Sequence, residues 1–194
     1  ELLHIPFNKR YLISNQRYSI TGQPLVYLGL SVLDVFAELK IQDSDFFDIN
    51  FSTFVLKHDQ NLNIVNFTNE FEPLLEKVEM ICSQSERLNP LEPIDCDFKK
   101  MFYKLILVSI CSFKRRKESE NWSFCEEYVL PQLITEIAKE KKFEGILFTS
   151  TRINQSIAFS NEIFYVNRYK ENLALFTKYN SESIFDTLLI EKFI

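Results

Sequence analysis

The apolar pattern of this 194-residue chain changes period twice, and that change constrains the fold more than any single motif does. The first third reads as strands: Leu2–Pro6, Arg17–Ile20 and Leu25–Leu28, followed by one helix. After the acidic loop Gln42–Asp48, Ser52–Lys57 and Asn63–Asn66 carry enough β-branched and aromatic residues to be strands. The middle is helical. Asn69–Cys82 places Phe71, Leu74, Leu75, Val78 and Ile81 on a 3.6-residue period. Phe98–Phe113 is apolar almost all round and predicts a buried helix. Phe124–Lys142 predicts a third, in which Pro131, lacking a backbone donor, either kinks the helix or begins it. The end returns to strands at Gly145–Phe148, Ile163–Val166 and Leu173–Thr177. Helices segregated between two groups of strands predict an α+β architecture rather than alternating βαβ units.

Composition narrows the function classes. Hydrophobic residues make up 46% and charged residues 25%, so disordered and collagen-like classes are excluded. Nineteen Phe against three Gly predict an aromatic-rich core with few glycine-dependent turns. The net charge of −5 argues against general affinity for nucleic-acid backbones. The one basic cluster, Lys114–Lys117, is followed by Glu118 and Glu120 and reads as a solvated loop or helix end. Cys82, Cys96, Cys111 and Cys125 show no C-x-x-C spacing, and the histidines are His4 and His58, so no metal site is expected. No signal-peptide pattern opens the sequence, and free thiols in a reducing cytoplasm are the expectation. The apolar run Leu105–Val108 is too short to span a bilayer and belongs to a core. The first residue is Glu1, and the expectation is one domain over 1–194, cut from a longer protein.

The stretch Gln16–Leu39 combines features that are ordinary singly. After the turn signal Gly22-Gln23-Pro24, alternation along Leu25–Leu28 turns Tyr27 away from Val26 and Leu28. Ser31 is placed to cap the next helix, with Asp34 three residues on. Val32, Val35, Phe36 and Leu39 form its apolar stripe. At ~100° per residue, Glu38 projects about 110° from the centre of that stripe, on its border, where a carboxylate can face a cleft. Taken alone, Arg17 reads as a surface arginine, Tyr27 as a core tyrosine with its hydroxyl at the rim, and Glu38 as a solvated helix residue.

Together these residues resemble the first block of the RES domain family, named for its Arg, Glu and Ser. Tyr27 follows Arg17 by ten residues and Glu38 follows Tyr27 by eleven. Gly145–Arg152 is similar to the later block, where a strand opened by Gly leads into the Ser, here Ser150. Glu127–Leu133 resembles the helix before it, and Asn172–Phe176 the closing strand. The compact toxins of the family usually have Gly before the Arg, then Trp and Asn; here Gln16 precedes, and Tyr18-Ser19 follow.

The resemblance implies an ADP-ribosyltransferase-like fold, with two small β-sheets around a cleft and flanking helices. It also implies an enzyme that cleaves NAD at the nicotinamide–ribose bond, with NAD as substrate and no cofactor, in a toxin or defence effector. Glu38 would stabilise positive charge on the ribose, and Arg17 would hold the pyrophosphate. Tyr27 would offer a ring to the nicotinamide or ribose, and Ser150 would bind the ribose or fix Glu38. Tyr18 is a further candidate for the cleft wall. A cognate antitoxin or regulatory domain is the implied protein partner, with no nucleic acid or membrane. Transfer of ADP-ribose to a macromolecule is the alternative within the fold, and a catalytically silent interaction domain the alternative outside it.

Overall fold

The strands that form are those that find a ladder partner. The computed structural model describes residues 3–39, 49–68, 75–77, 79–80, 83, 96–113, 124–150, 157–159, 162–164 and 171–194. The acidic loop Gln42–Asp48, the basic run Lys114–Lys117 and much of Asn69–Cys82 lie outside them; residues 75–77 and 79–80 of the latter are helical. In chain order the elements are β1 (Leu25–Gly29), α1 (Val32–Leu39), β2 (Ile64–Phe67), α2 (Cys96–Cys111), α3 (Glu126–Glu140), β3 (Gly145–Thr149), β4 (Ile157–Phe159), β5 (Glu162–Phe164), β6 (Glu171–Phe176) and the short α4 (Thr187–Ile190). No described helix is long and apolar enough to cross a membrane.

The fold is mixed α and β, and its centre is one four-stranded sheet in the order β1-β6-β3-β2. The strand β6 is antiparallel to both neighbours, while β2 runs parallel to β3 across a connection that carries α2 and α3. The second sheet is only the two-stranded ribbon β4-β5. Strand alternation gives the main sheet two different faces. On one, Leu25, Phe67, Ile146, Phe148, Ala174 and Phe176 pack with Val108 and Cys111 of α2, Ala138 of α3, and Tyr18. On the other, Val26, Leu173 and Leu175 pack with Leu189 of α4, flanked by Leu3, Leu62 and Phe193.

Three predicted strands do not form although their composition suits one, since strand propensity yields to tertiary context. Leu2–Pro6 is irregular where described and leads into a 3-10 helix over Phe7–Leu12. Arg17–Ile20 is a tight turn closed by a bridge between Gln16 and Ser19. Ser52–Lys57 makes a single bridge, Leu56 to Phe193. The helix predicted as buried, α2, is amphipathic instead: Leu105, Val108 and Cys111 are buried, while Phe102, Tyr103, Ile106 and Leu107 are exposed. The helix α3 runs on through Pro131, which is fully buried on an inward stripe with Tyr128, Thr135 and Ala138.

Two local features set the approach of the elements. Gly22 has φ +82°, the left-handed conformation that the turn before β1 requires. At Gly29 a Cβ would lie 2.6 Å from Val35 Cγ2 and 3.3 Å from Ser31 O, so the missing side chain lets α1 pack directly on the end of β1.

Candidate active site

The register of the sheet gathers the site at one end of its helix-covered face. Gly29, Asn172 and Phe148 are opposite one another across β1, β6 and β3, and Tyr27 and Ser150 lie on the same face by alternation. A cavity of about 440 Å³ opens there, within the size range of small-molecule sites. The sheet contributes Tyr27, Phe148 and Asn172 to its wall, α1 contributes Val35, Glu38 and Leu39, and α3 contributes Tyr128. The loop Ser14–Arg17 forms the remaining polar wall. Val35, Glu38 and Leu39 are spaced i, i+3 and i+4, so one face of α1 looks into the cavity. Glu38 is half-buried there, in keeping with its place on the border of the apolar stripe, while Val32 and Leu39 of that stripe are exposed.

The Glu38 carboxylate is held from the sheet. The Ser150 hydroxyl donates to Glu38 Oε1, and Asn172 Nδ2 donates to the same oxygen at 2.7 Å. Both donors are buried, at 7% and 6% exposure, so the carboxylate rests on a fixed polar floor.

Arg17 sits at the tip of the Gln16–Ser19 turn. Its Nη1 donates to Cys111 O at 3.0 Å, and its guanidinium lies 5.3 Å from the centre of the Tyr128 ring, a cation–π distance. The turn itself is tied to α3 by Gln132, whose Nε2 lies 2.5 Å from Asn15 Oδ1, 2.8 Å from Gln16 O and 3.1 Å from Ser19 O. One side chain thus fixes the loop that carries the arginine.

Tyr27 splits between two environments. Its ring lines the cavity, which accounts for its 38% exposure, while its hydroxyl turns inward and accepts the Tyr18 N–H at 3.3 Å. Burial of that hydroxyl pushes its pKa up to about 12, so it stays protonated through the physiological range. Tyr18, expected on the cleft wall, is placed elsewhere. The two residues at a turn tip point apart, and Tyr18 is fully buried with its ring 4.5 Å from Phe148. Its hydroxyl has no hydrogen-bond partner among the described residues and faces the Cys111 thiol; burial raises both, the thiol to about 11.

The family resemblance implies Arg17, Tyr27 and Glu38 around one cleft, with Ser150 binding the ribose or fixing Glu38; the first three line this cavity, and Ser150 contacts Glu38. Sequence reasoning assigned no role to Tyr128, Gln132 or Asn172, although all three lie in the stretches Glu127–Leu133 and Asn172–Phe176. The one signal available was a polar residue, Asn172, heading an otherwise apolar strand. Among the described residues, no group of three His, Cys, Asp or Glu is placed to hold a metal ion.

No protein-family model matches the chain, and no solved structure matches it. Over 158 residues, 80% of this chain, it is 27% identical to a Bacillus subtilis (strain 168) protein named "Putative toxin YopC". The chain spans about a third of that relative, 34% of its length.

Proposed function

We propose that this chain is an NAD-consuming enzyme of the RES type, with an ADP-ribosyltransferase-like fold, acting as a toxin or defence effector. In this reading the bond between the nicotinamide nitrogen and ribose C1′ breaks, and its electron pair leaves with nicotinamide. Water adds hydroxide at C1′ and releases a proton. Positive charge develops on the ribose before the new bond forms, and the Glu38 carboxylate stabilises it. Arg17 holds the pyrophosphate, for which its planar fork suits two oxygens at once. Tyr27 presents its ring to the nicotinamide or ribose.

The observation that carries this reading is the meeting of Arg17, Tyr27 and Glu38 on one cavity, with the carboxylate tied to Ser150. The toxin role is supported by the name of the Bacillus subtilis relative. A cognate antitoxin or regulatory domain is part of the same proposal.

The test is incubation of the protein with NAD and mass spectrometry of all products. Free nicotinamide with ADP-ribose identifies hydrolysis, and ADP-ribose phosphate identifies phosphate as acceptor. A mass increase on a protein identifies ADP-ribosyl transfer instead. Intact NAD under every condition, with the protein folded, would leave the fold as a silent interaction domain and overturn the proposal.

A further inference from the structure

We infer that Asn172 is a positioning residue of this site, fixing the oxygen of Glu38 that Ser150 also grips; the inference rests on the reading of Glu38 as the catalytic carboxylate. Asn172 is 6% exposed, on the strand between β1 and β3, and its neighbours Leu173, Ala174, Leu175 and Phe176 are all buried and apolar. An amide in such a place is costly to bury unless its donors are used. Asn172 Nδ2 spends one on Glu38 Oε1, at 2.7 Å, across 134 residues of chain.

The backbone around this pair is held in register. Asn172 faces Gly29 on one side and Phe148 on the other. The missing Cβ at Gly29 lets Val35, and with it the turn of α1 that leads to Glu38, approach the sheet end. The amide therefore meets the carboxylate at the point where the helix is forced closest to the strand. A donor that must point at Glu38 fixes the carboxylate's rotation as well as its place. Among the described residues, the other titratable groups on the cavity wall are Arg17 from the loop, Tyr27 from β1 and Tyr128 from α3.

The experiment pairs two variants with two measurements. Asn172→Leu keeps the volume and removes the donor; NAD cleavage should fall about ten- to a hundredfold in kcat with KM within about threefold, the scale of a hydrogen bond to a charged group. Asn172→Asp puts a second carboxyl against Glu38, so the pair holds a proton and the acid limb of the rate profile moves to higher pH by about one unit or more. In the same proteins without NAD, the Glu38 carboxyl is followed through an acid titration by carbon-13 NMR. Its midpoint should differ from wild type in both variants. Circular dichroism and the thermal midpoint report whether each variant folds, and the aspartate variant, nearly isosteric, stands if the leucine one does not. An unchanged rate profile and unchanged Glu38 midpoint in a folded variant overturn the role of Asn172. If wild type leaves NAD intact while the NMR midpoints move, the reaction assignment falls and the Asn172–Glu38 coupling stands.

Discussion

Each end of strand β3 meets a glutamate, Glu144 in the chain just before it and Glu38 of α1 against Ser150 just beyond it, and the two are held by different partners. Before it, Glu144 makes an ion pair with Lys192 and accepts the Asn63 N–H at 3.1 Å. Beyond it, Ser150 and Asn172 offer Glu38 a hydroxyl and an amide, both neutral and both buried. At the first end a charge is offset by a charge at the rim of the sheet, an arrangement that serves the fold. At the second, a buried hydroxyl and a buried amide hold a carboxylate at the wall of a cavity. The difference lies in where each carboxylate sits: Glu144 at the rim beside an ammonium, Glu38 at a cavity on two buried donors.

The contrast can be broken most forcefully at Glu38. Glu38→Gln keeps the shape and should lower NAD cleavage about a hundred- to a thousandfold, the ~3–4 kcal/mol typical of one lost preorganised electrostatic contact. Its thermal midpoint should stay near wild type. Normal turnover in a folded Glu38→Gln protein would remove the carboxylate from the mechanism. Leu175→Ala breaks the strand's support instead of either end. Leu175 pairs with Gly145 from the face turned away from the cavity and is 1% exposed, so its truncation should cost about 3 kcal/mol of stability. Cleavage should then fall only in proportion to the folded fraction; a specific loss of kcat in fully folded protein would show that the two faces are coupled.

The smallest effect belongs to Glu144 and appears on the acid side. Burial alone would raise its carboxyl, but the Lys192 ammonium and the Asn63 N–H outweigh it and hold it below its ordinary 4.5. A carboxyl depressed in the folded state contributes stability above its unfolded pKa and loses it as pH falls through the folded one. The stability gap between wild type and Glu144→Gln should therefore be full at neutral pH and close from roughly pH 5 to pH 3, a small change because water screens the pair. Urea midpoints measured across that range check it. A gap independent of pH would mean that Glu144 acts through packing.

What the sequence could show was what lies close along it. Arg17, Tyr27 and Glu38 fall within twenty-two residues, each ordinary alone, and it is their order and spacing, through the family resemblance, that groups them. The strands β1, β3 and β6 were legible from local pattern. Gln132 and Asn172 act on Asn15, Gln16 and Glu38, more than a hundred residues away, and no local period encodes such pairs. On α3 the hydropathy pattern points the wrong way: Leu130, Leu133 and Ile137 are exposed, while Tyr128, Pro131 and Thr135 turn inward beside the site. The missed turn at Arg17 has a similar cause. Its residues suit a strand, and partners from distant elements, Gln132 of α3 among them, help hold them in a turn instead.

The strand β6 enters the sheet between β1 and β3, and it carries Asn172. Glu38 therefore leaves the ribosome 134 residues before its amide partner exists. At about 5–20 residues per second, that interval is roughly 7 to 27 s. For most of it the growing chain holds the arginine, the tyrosine and the glutamate but neither donor to the carboxylate; Ser150 comes first and Asn172 last. The strands β1 and β3 have no common neighbour until β6 is inserted between them, and such non-local pairing is slow to form. On the proposed NAD-consuming reading, synthesis itself then supplies a period of silence: the assembled site appears only after β6 has been made.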